Sequence, residues 1–409
     1  MYVYDTLSRK KIKFKSIRKN VVYFYTCGPS VYSTPHLGNF RTYVFEDVVK
    51  RTLKFLGYEV RHVMNITDIE DKAVRAAKGN LKKLLKITQN NTKVFIRNSN
   101  ELGILPPDIR PKATRHIKQM VKLIKQLLKN KMAYKDEKGN VFFDVSSFSG
   151  YGRLSGTRFK RELGGRVYKD DYYQFEAGDF LLWKAWKKGD GDIYWKTELG
   201  KGRPGWHIEC SAMSMYYLGE QFDIHMGGID NVFSHHENEI AQSESVTGSK
   251  LANYWIHVRH LLIEGKKMSK SLGNFYTVED IHRMGYRFDA IRFTLMGEHY
   301  RKRLNFTFKG LEECAQELKY CKARFSALKR GRFWKENPVA DKRGTDALLE
   351  FKKYLENDLD ISNAIGVFCS YLRKVEEFIK KKQFGDRNAK RACEVVEKMD
   401  SVMGLIEEC

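Results

Sequence analysis

No run in the 409 residues is both long and apolar enough to span a bilayer, which takes about 20 residues as a helix. The N-terminus lacks the charged-then-apolar leader of a secreted chain. Cysteine is sparse and dispersed: Cys27, Cys210, Cys314, Cys321, Cys369, Cys393 and Cys409 include no Cys-x-x-Cys pair. An odd, scattered set does not make a disulfide framework and points to a reducing compartment, so a cytoplasmic protein is expected. There is no internal repeat and no Walker-type phosphate loop, so any ATP must be held another way. Acidic residues are in deficit, 50 Asp and Glu against 74 Lys and Arg, for a net charge of +24. Such a surplus attracts a polyanion, nucleic acid above all; the competing reading is a solvated lysine-rich surface.

What is present suffices for a multi-domain globular chain. Hydrophobic residues make up 42% and aromatics 13%, enough for sizeable cores, and the length suits two or three domains. Val21–Thr26 is β-branched and aromatic and reads as a buried strand. A loop from Cys27 to Asn39 follows, then a helical period from Arg41 to Leu56 closed by Gly57, then an alternating strand from Tyr58 to Asn65. Strand, helix and strand make a βαβ unit, the element of a parallel sheet. Arg110–Lys131 reads as an amphipathic helix with lysines on a flanking face, either solvated or facing RNA. Phe222–Met226 reads as a second-half strand running into Gly227-Gly228 and then a helix near Ser234. Beyond about residue 310 the pattern is helical and charged, as at Asp346–Leu355 and Ala364–Ile379, which suggests a bundle.

The expected architecture is α/β: a Rossmann-type parallel-sheet catalytic domain with an insertion, followed by a C-terminal helical bundle. The boundaries fall at 1–115 for the first half of the Rossmann domain and 116–204 for the connective insertion. The second half follows at 205–264, a loop region at 265–310, and the bundle at 311–409.

Three stretches carry candidate chemistry. Pro35-His36-Leu37-Gly38-Asn39 lies between strand and helix, where free N–H groups and the helix dipole favour a phosphate. Lys266 to Asn274 places lysines and small hydroxyls in one loop, suited to a departing polyphosphate or else simply an exposed basic loop. In Ser234-His235-His236-Glu237-Asn238-Glu239, His235 and Glu239 stand four apart and share a helix face. With Cys27 and Cys210 they could form a four-ligand zinc site, although His-x-x-x-Glu alone is more often a surface hydrogen bond and each cysteine a small core residue.

The spellings of His36-Leu37-Gly38-Asn39 and Lys267-Met268-Ser269-Lys270-Ser271 resemble the paired HIGH and KMSKS signatures of the class I aminoacyl-tRNA synthetases. Cys27-Gly28-Pro29, Asn65 to Lys72, Gly202 to Cys210 and His235 to Gln242 are similar to blocks of the cysteinyl-tRNA synthetase family. The resemblance spans roughly residues 1 to 310 and continues more weakly beyond. It implies ATP-dependent ligation of L-cysteine to tRNA(Cys) through cysteinyl-adenylate, with Mg2+ accompanying the ATP. His36 and Asn39 would contact the phosphates, and Lys267 and Lys270 would stabilise the departing pyrophosphate. Gly228 and Asp230 would border the adenosine; Gly28, Thr67 and Trp206 would line the amino-acid pocket, Trp206 otherwise being core packing. The zinc ligands would be Cys27, Cys210, His235 and Glu239, of which Glu239 is expected to loosen when substrate arrives. Zinc would select a thiolate over the hydroxyl of serine, which shape alone distinguishes by only about two orders of magnitude.

Two departures stand out. Asn39 replaces the second histidine of HIGH, and it can still donate to a phosphate. The small anticodon-reading module usual in the family is not recognisable, which leaves the basic bundle, with Lys380-Lys381-Lys382 and Arg387–Arg391, to carry the tRNA. A monomer is expected on family grounds. Two rival readings remain: a cysteine:amino-sugar ligase of thiol-cofactor biosynthesis, and a non-catalytic RNA-binding paralogue.

Overall fold

The computed structural model describes residues 1–157, 166–167, 178–269 and 272–406. Of the sequence candidates, Lys270 and its neighbour Ser271 lie outside these residues, as does Cys409.

The centre is a four-stranded parallel sheet. Strand β1 (Val21–Thr26) pairs with β2 (Glu59–Met64) after the crossover helix α1 (Leu37–Phe55). On the other side of β1 lies β3 (Phe222–Gly228), which pairs in turn with β4 (Ala252–Val258). The spatial order is therefore β4-β3-β1-β2. The chain leaves β1 for one neighbour and returns from far along the sequence to build the other. That reversal opens a crevice at the carboxyl ends of β1 and β3, where ligands bind in open α/β sheets. β3 is buried along its whole length, Asp223 and His225 included, and β1 along most of its length, as expected of central strands in a parallel sheet.

Helix α1 starts at Leu37, four residues earlier than its apolar period suggests. The reason is its cap: His36 Nδ1 accepts the Asn39 N–H at 3.3 Å, while Asn39 Oδ1 accepts the His36 N–H at 3.0 Å. This reciprocal box satisfies two end donors that a pattern of buried positions does not see. The long amphipathic helix also shortens, to α2 (Ile117–Lys129), because Ala113–Arg115 forms a separate 3-10 turn.

The described residues between α2 and α3 (Trp206–Leu218) build a sheet in which Ala133–Lys135, Val141–Phe143, Asp179–Ala185, Gly200–Pro204 and Trp195–Thr197 pair antiparallel and Arg166–Val167 pairs parallel with Asp179–Ala185. After β3, a π-helical turn at Val232–His236 leads into α4 (Glu237–Thr247). The chain then forms β5 (Leu261–Ile263), β6 (Lys266–Lys267) and α5 (Phe288–Met296).

The carboxyl-terminal part is four antiparallel helices: α6 (Phe308–Arg330), α7 (Pro338–Glu356), α8 (Ile361–Lys380) and α9 (Asp386–Met403). One hydrophobic core joins them to the sheet, running from Phe24 and Val44 through Leu53 and Ile291 to Phe351, Val396 and Met399. A buried ion pair reinforces the junction. Arg292 donates to Asp47 on α1, to the Leu102 carbonyl at 3.0 Å and to the Met403 carbonyl at 2.6 Å. Among the described residues no helix is long and apolar enough to cross a membrane.

Candidate active site and metal centre

The crevice predicted by the strand order is a cleft of about 340 Å³. Cys27, Gly28, His36, Asn39, Thr67, Trp206, Cys210, Gly228, Asp230 and His235 all border it. Residues from four separate stretches of sequence thus meet at one place. Glu239 lies directly beneath, and Lys267 is exposed on β6 and does not border the cleft.

Backbone geometry explains several of these positions. Cys27 leaves the end of β1 with its N–H on the Met226 carbonyl at 3.2 Å, which ties the two central strands at the cleft floor. Gly28 donates its N–H to Asn65 Oδ1 at 2.9 Å. A Cβ on Gly28 would sit 1.7 Å from the Asn65 carbonyl oxygen, so no other residue fits this close approach. Asn65 donates in turn to Thr67 Oγ1 at 3.1 Å, which orients that hydroxyl at the cleft edge. Gly228 ends β3, and a side chain there would collide with Asp230.

The helix start faces the loop that follows the second signature. His36 meets Phe275 edge to face with centroids 5.2 Å apart, and Leu37 donates its N–H to the Tyr276 carbonyl at 2.9 Å. Met268 reaches close to Gly38. Asn274 closes the loop base, accepting from Ser269 N at 2.8 Å and donating to the Lys267 carbonyl at 3.2 Å. The first signature therefore packs against Met268 and against Phe275 and Tyr276, although more than two hundred residues separate them in the sequence.

Beside the helix start lies a buried nest of thiols, imidazoles and one carboxylate. Sγ of Cys27 is 3.9 Å from Sγ of Cys210 and 3.8 Å from Glu239 Oε1, and His235 Nε2 is 3.2 Å from that same oxygen. The donor atoms of Cys27, Cys210, His235 and Glu239 all lie within 4.8 Å of one another. A tetrahedron with the bond lengths typical of zinc to nitrogen, oxygen and sulfur has edges of about 3.3–3.8 Å, so the spacing suits a divalent ion. A second set, Cys27, His225, His236 and Glu239, meets the same criterion. The two differ in access: Cys210 and His235 border the cleft, whereas His225 and His236 do not. The first set thus brings three of its four donors, Cys27, Cys210 and His235, to the cleft, and the second set one, Cys27.

The surrounding groups hold these donors in place. His207 Nδ1 meets His235 Nδ1 at 2.9 Å, leaving Nε2 of His235 turned to Glu239. The Trp206 ring stacks on His235 with centroids 4.2 Å apart. His225 Nε2 pairs with Glu239 Oε2 at 2.9 Å, and His236 bridges Cys27 at 3.2 Å to His257 at 2.8 Å. None of His207, His225, His236 or His257 was assigned a role from the sequence. His236 directly follows a predicted ligand and His207 stands three residues before another, but nothing in the spacing of His225 and His257 on their strands distinguishes them from core residues.

Burial sets the protonation of the nest. It raises the Glu239 carboxyl well above its usual range, with the Cys210 thiolate adding to the effect, and it lifts Cys27 likewise. Cys210 is also raised by burial, but hydrogen bonds from Cys27 and Tyr25 outweigh this and leave it below its ordinary value. Burial pushes His225 and His257 down to about 3 and lowers His235 and His236. Neutral imidazoles and a thiol primed to lose its proton are the forms that ligate a cation.

Comparisons with known proteins agree with this geometry. Solved structures with the same fold include a Mycobacterium tuberculosis methionyl-tRNA synthetase in complex with methionyl-adenylate, at a TM-score of 0.68 and 15% identity over 94% of this chain and 92% of that one. A putative arginyl-tRNA synthetase from Campylobacter jejuni superposes at 0.60 with 14% identity, covering 96% and 94% of the two chains. These give the class of fold. The family model for the class I (C) tRNA synthetase catalytic domain matches residues 13–316, and the chain belongs to that family. A cysteine–tRNA ligase of Chlamydia felis is 42% identical over 418 aligned residues, covering 100% of this chain and 86% of the relative. One from Brachyspira hyodysenteriae is 43% identical, covering 91% and 80%.

Proposed function

We propose that this chain ligates L-cysteine to tRNA(Cys) with ATP. The observation that carries the reading is the shared cleft: a helix start suited to phosphate and a thiol- and imidazole-lined metal nest open onto one cavity. The relatives named cysteine–tRNA ligase, aligned over almost the whole chain, support the same substrates.

In the first step the cysteine carboxylate attacks the α-phosphorus, and the bond to the bridging oxygen breaks to release pyrophosphate. The resulting cysteinyl-adenylate is then attacked by a terminal ribose hydroxyl of the tRNA, which takes the acyl group and releases AMP. Positioning and charge stabilisation supply the rate, because the protein forms no covalent bond. His36 and Asn39 orient the phosphates, Asn39 through its amide, since its carbonyl oxygen is held by the cap. Gly228 and Asp230 flank the adenosine, and Gly28, Thr67 and Trp206 the amino acid. Lys270, with Lys267 entering from its exposed strand, neutralises the pyrophosphate. Mg2+ accompanies the ATP.

Cys27, Cys210, His235 and Glu239 fit a zinc ion by donor chemistry and spacing. Bound there, zinc would favour the thiolate of cysteine over the hydroxyl of serine. Glu239 is the ligand suited to yield, because His225 already offers its carboxylate a second partner. A cytoplasmic monomer is the accompanying expectation.

The test is acid-insoluble labelled cysteinyl-tRNA formed from ATP, cysteine and total tRNA. Charging that depends on all three supports the reading. Cysteine-dependent pyrophosphate exchange without charging would redirect it to another acceptor, such as an amino-sugar. Neither activity would leave a non-catalytic binder.

A further inference from the structure

The far end of the helical bundle carries an unusual residue. Trp334 is 90% exposed, in a chain whose other large aromatics are mostly buried. It sits in the loop between α6 and α7, flanked by Arg330, Arg332 and Lys335.

This loop is firmly built. Phe333 packs edge to face on Phe384 with centroids 5.4 Å apart, and its N–H donates to Asp386 at 2.7 Å. Trp334 bridges Gly385, and Lys335 donates its N–H to the Phe384 carbonyl. The Glu336 carboxylate accepts the N–H groups of Arg387 and Asn388 at 2.9 and 3.2 Å, and Asn337 pairs with Asn388. Alternation along this fixed stretch turns Phe333 inward and Trp334 outward. The indole is thus held in water by ordered backbone rather than carried on a loose tip.

The same locking brings a second basic segment alongside. Lys381, Lys382 and Arg387, from the turn between α8 and α9, are exposed and form no ion pair among the described residues, as is true of Arg330, Arg332 and Lys335. The carboxylate closest in sequence, Glu336, is occupied by backbone donors. An exposed flat ring ringed by unpaired cations matches the stacking platforms that bind unpaired nucleobases while neighbouring cations hold the phosphates.

Location narrows the target. The opposite end of the bundle is fixed to the catalytic layer, where Asp358 accepts from Tyr4 N at 2.7 Å and from Tyr300 at 2.6 Å. The 23 residues of α6 place the tip about 34 Å away from that end. A tRNA whose acceptor end entered the cleft would extend away from it, and the tip would then lie against a part of that molecule remote from the reacting end, where unpaired loop bases are available. We infer that Trp334 stacks on an unpaired loop base of the bound tRNA, with Arg332, Lys335 and Lys382 on the adjoining phosphates; this rests on the synthetase reading.

The experiment compares wild type, Trp334→Ala and Trp334→Phe in two measurements. Filter retention gives the dissociation constant for tRNA(Cys) transcript, with an anticodon stem–loop and a blunt duplex as competitors. Cysteine-dependent pyrophosphate exchange, which needs no tRNA, reports on the cleft. Stacking of one base corresponds to roughly 5- to 150-fold in affinity. The expected result is a loss of about tenfold or more in Trp334→Ala, near-normal binding in Trp334→Phe, unchanged exchange in both, and competition by the stem–loop but not the duplex. Equal binding by Trp334→Ala, equal competition by the duplex, or a parallel fall in exchange would each overturn the inference. A wild type that retains tRNA yet performs no exchange would instead overturn the ligase reading, and its binding series would still decide the role of Trp334.

Discussion

At the residue scale, the metal nest makes graded predictions. His207 does not border the cleft, but its contact with His235 fixes which imidazole nitrogen faces Glu239. Outer groups of this kind are worth about 10- to 100-fold in metal affinity. His207→Ala should therefore weaken zinc by about that factor, whereas Cys210→Ala should strip it more completely; competition with a colorimetric chelator measures both. Equal losses would mean that His207 is itself a ligand. Glu239→Ala should act on selectivity. If the metal supplies discrimination beyond shape, the preference for cysteine over serine in pyrophosphate exchange should fall towards the roughly hundredfold that shape gives. An unchanged preference would remove Glu239 from selection.

At the scale of elements, the tie between α1 and the bundle bears on stability. Asp47 is fully buried and accepts from Arg51 and Arg292, while its other oxygen accepts the Leu105 N–H at 2.9 Å. Removing a buried partner strands the opposite charge, which costs about 3–5 kcal/mol. Asp47→Ala should lower unfolding stability by about that amount in urea, and the effect should vanish if Arg292 were neutral or solvated. This tie also shows where sequence reading stops. Three of the four central strands and a helical carboxyl-terminal region were legible, because period and β-branched content follow local burial; the strand Ala252–Val258 was not singled out, and only two bundle helices, near Asp346–Leu355 and Ala364–Ile379, were. The matched blocks also singled out Cys27, Cys210, His235 and Glu239, whose donor atoms the structure brings together. Asp47, Arg292, His225 and His257 were not, since the partners that give them their roles here lie on other elements: Asp47 with Arg292, His225 with Glu239 and His257 with His236. The start of α1 was missed for the related reason that a capping pair replaces an apolar signal.

At the scale of the whole molecule, the net charge of +24 has to be divided between general attraction and particular contacts. A diffuse surplus steers any polyanion, and its loss at one site changes little. Cations that touch phosphate release counterions, so each removed contact lowers the slope of log affinity against log salt by about one. The cations at the bundle tip form no ion pairs among the described residues, while others on the same helices are already engaged, Lys329 with Glu397 at 3.3 Å and Lys380 with Glu376 at 3.0 Å. The double variant Arg332→Ala with Lys382→Ala should therefore flatten the salt dependence of tRNA binding by about two. Lys329→Ala should leave it nearly unaltered, since that ammonium is engaged with a carboxylate. Filter retention across a series of potassium chloride concentrations separates the cases. Equal slopes for all variants would assign the surplus charge to steering alone, and the tip would then be a solvated surface rather than a docking site.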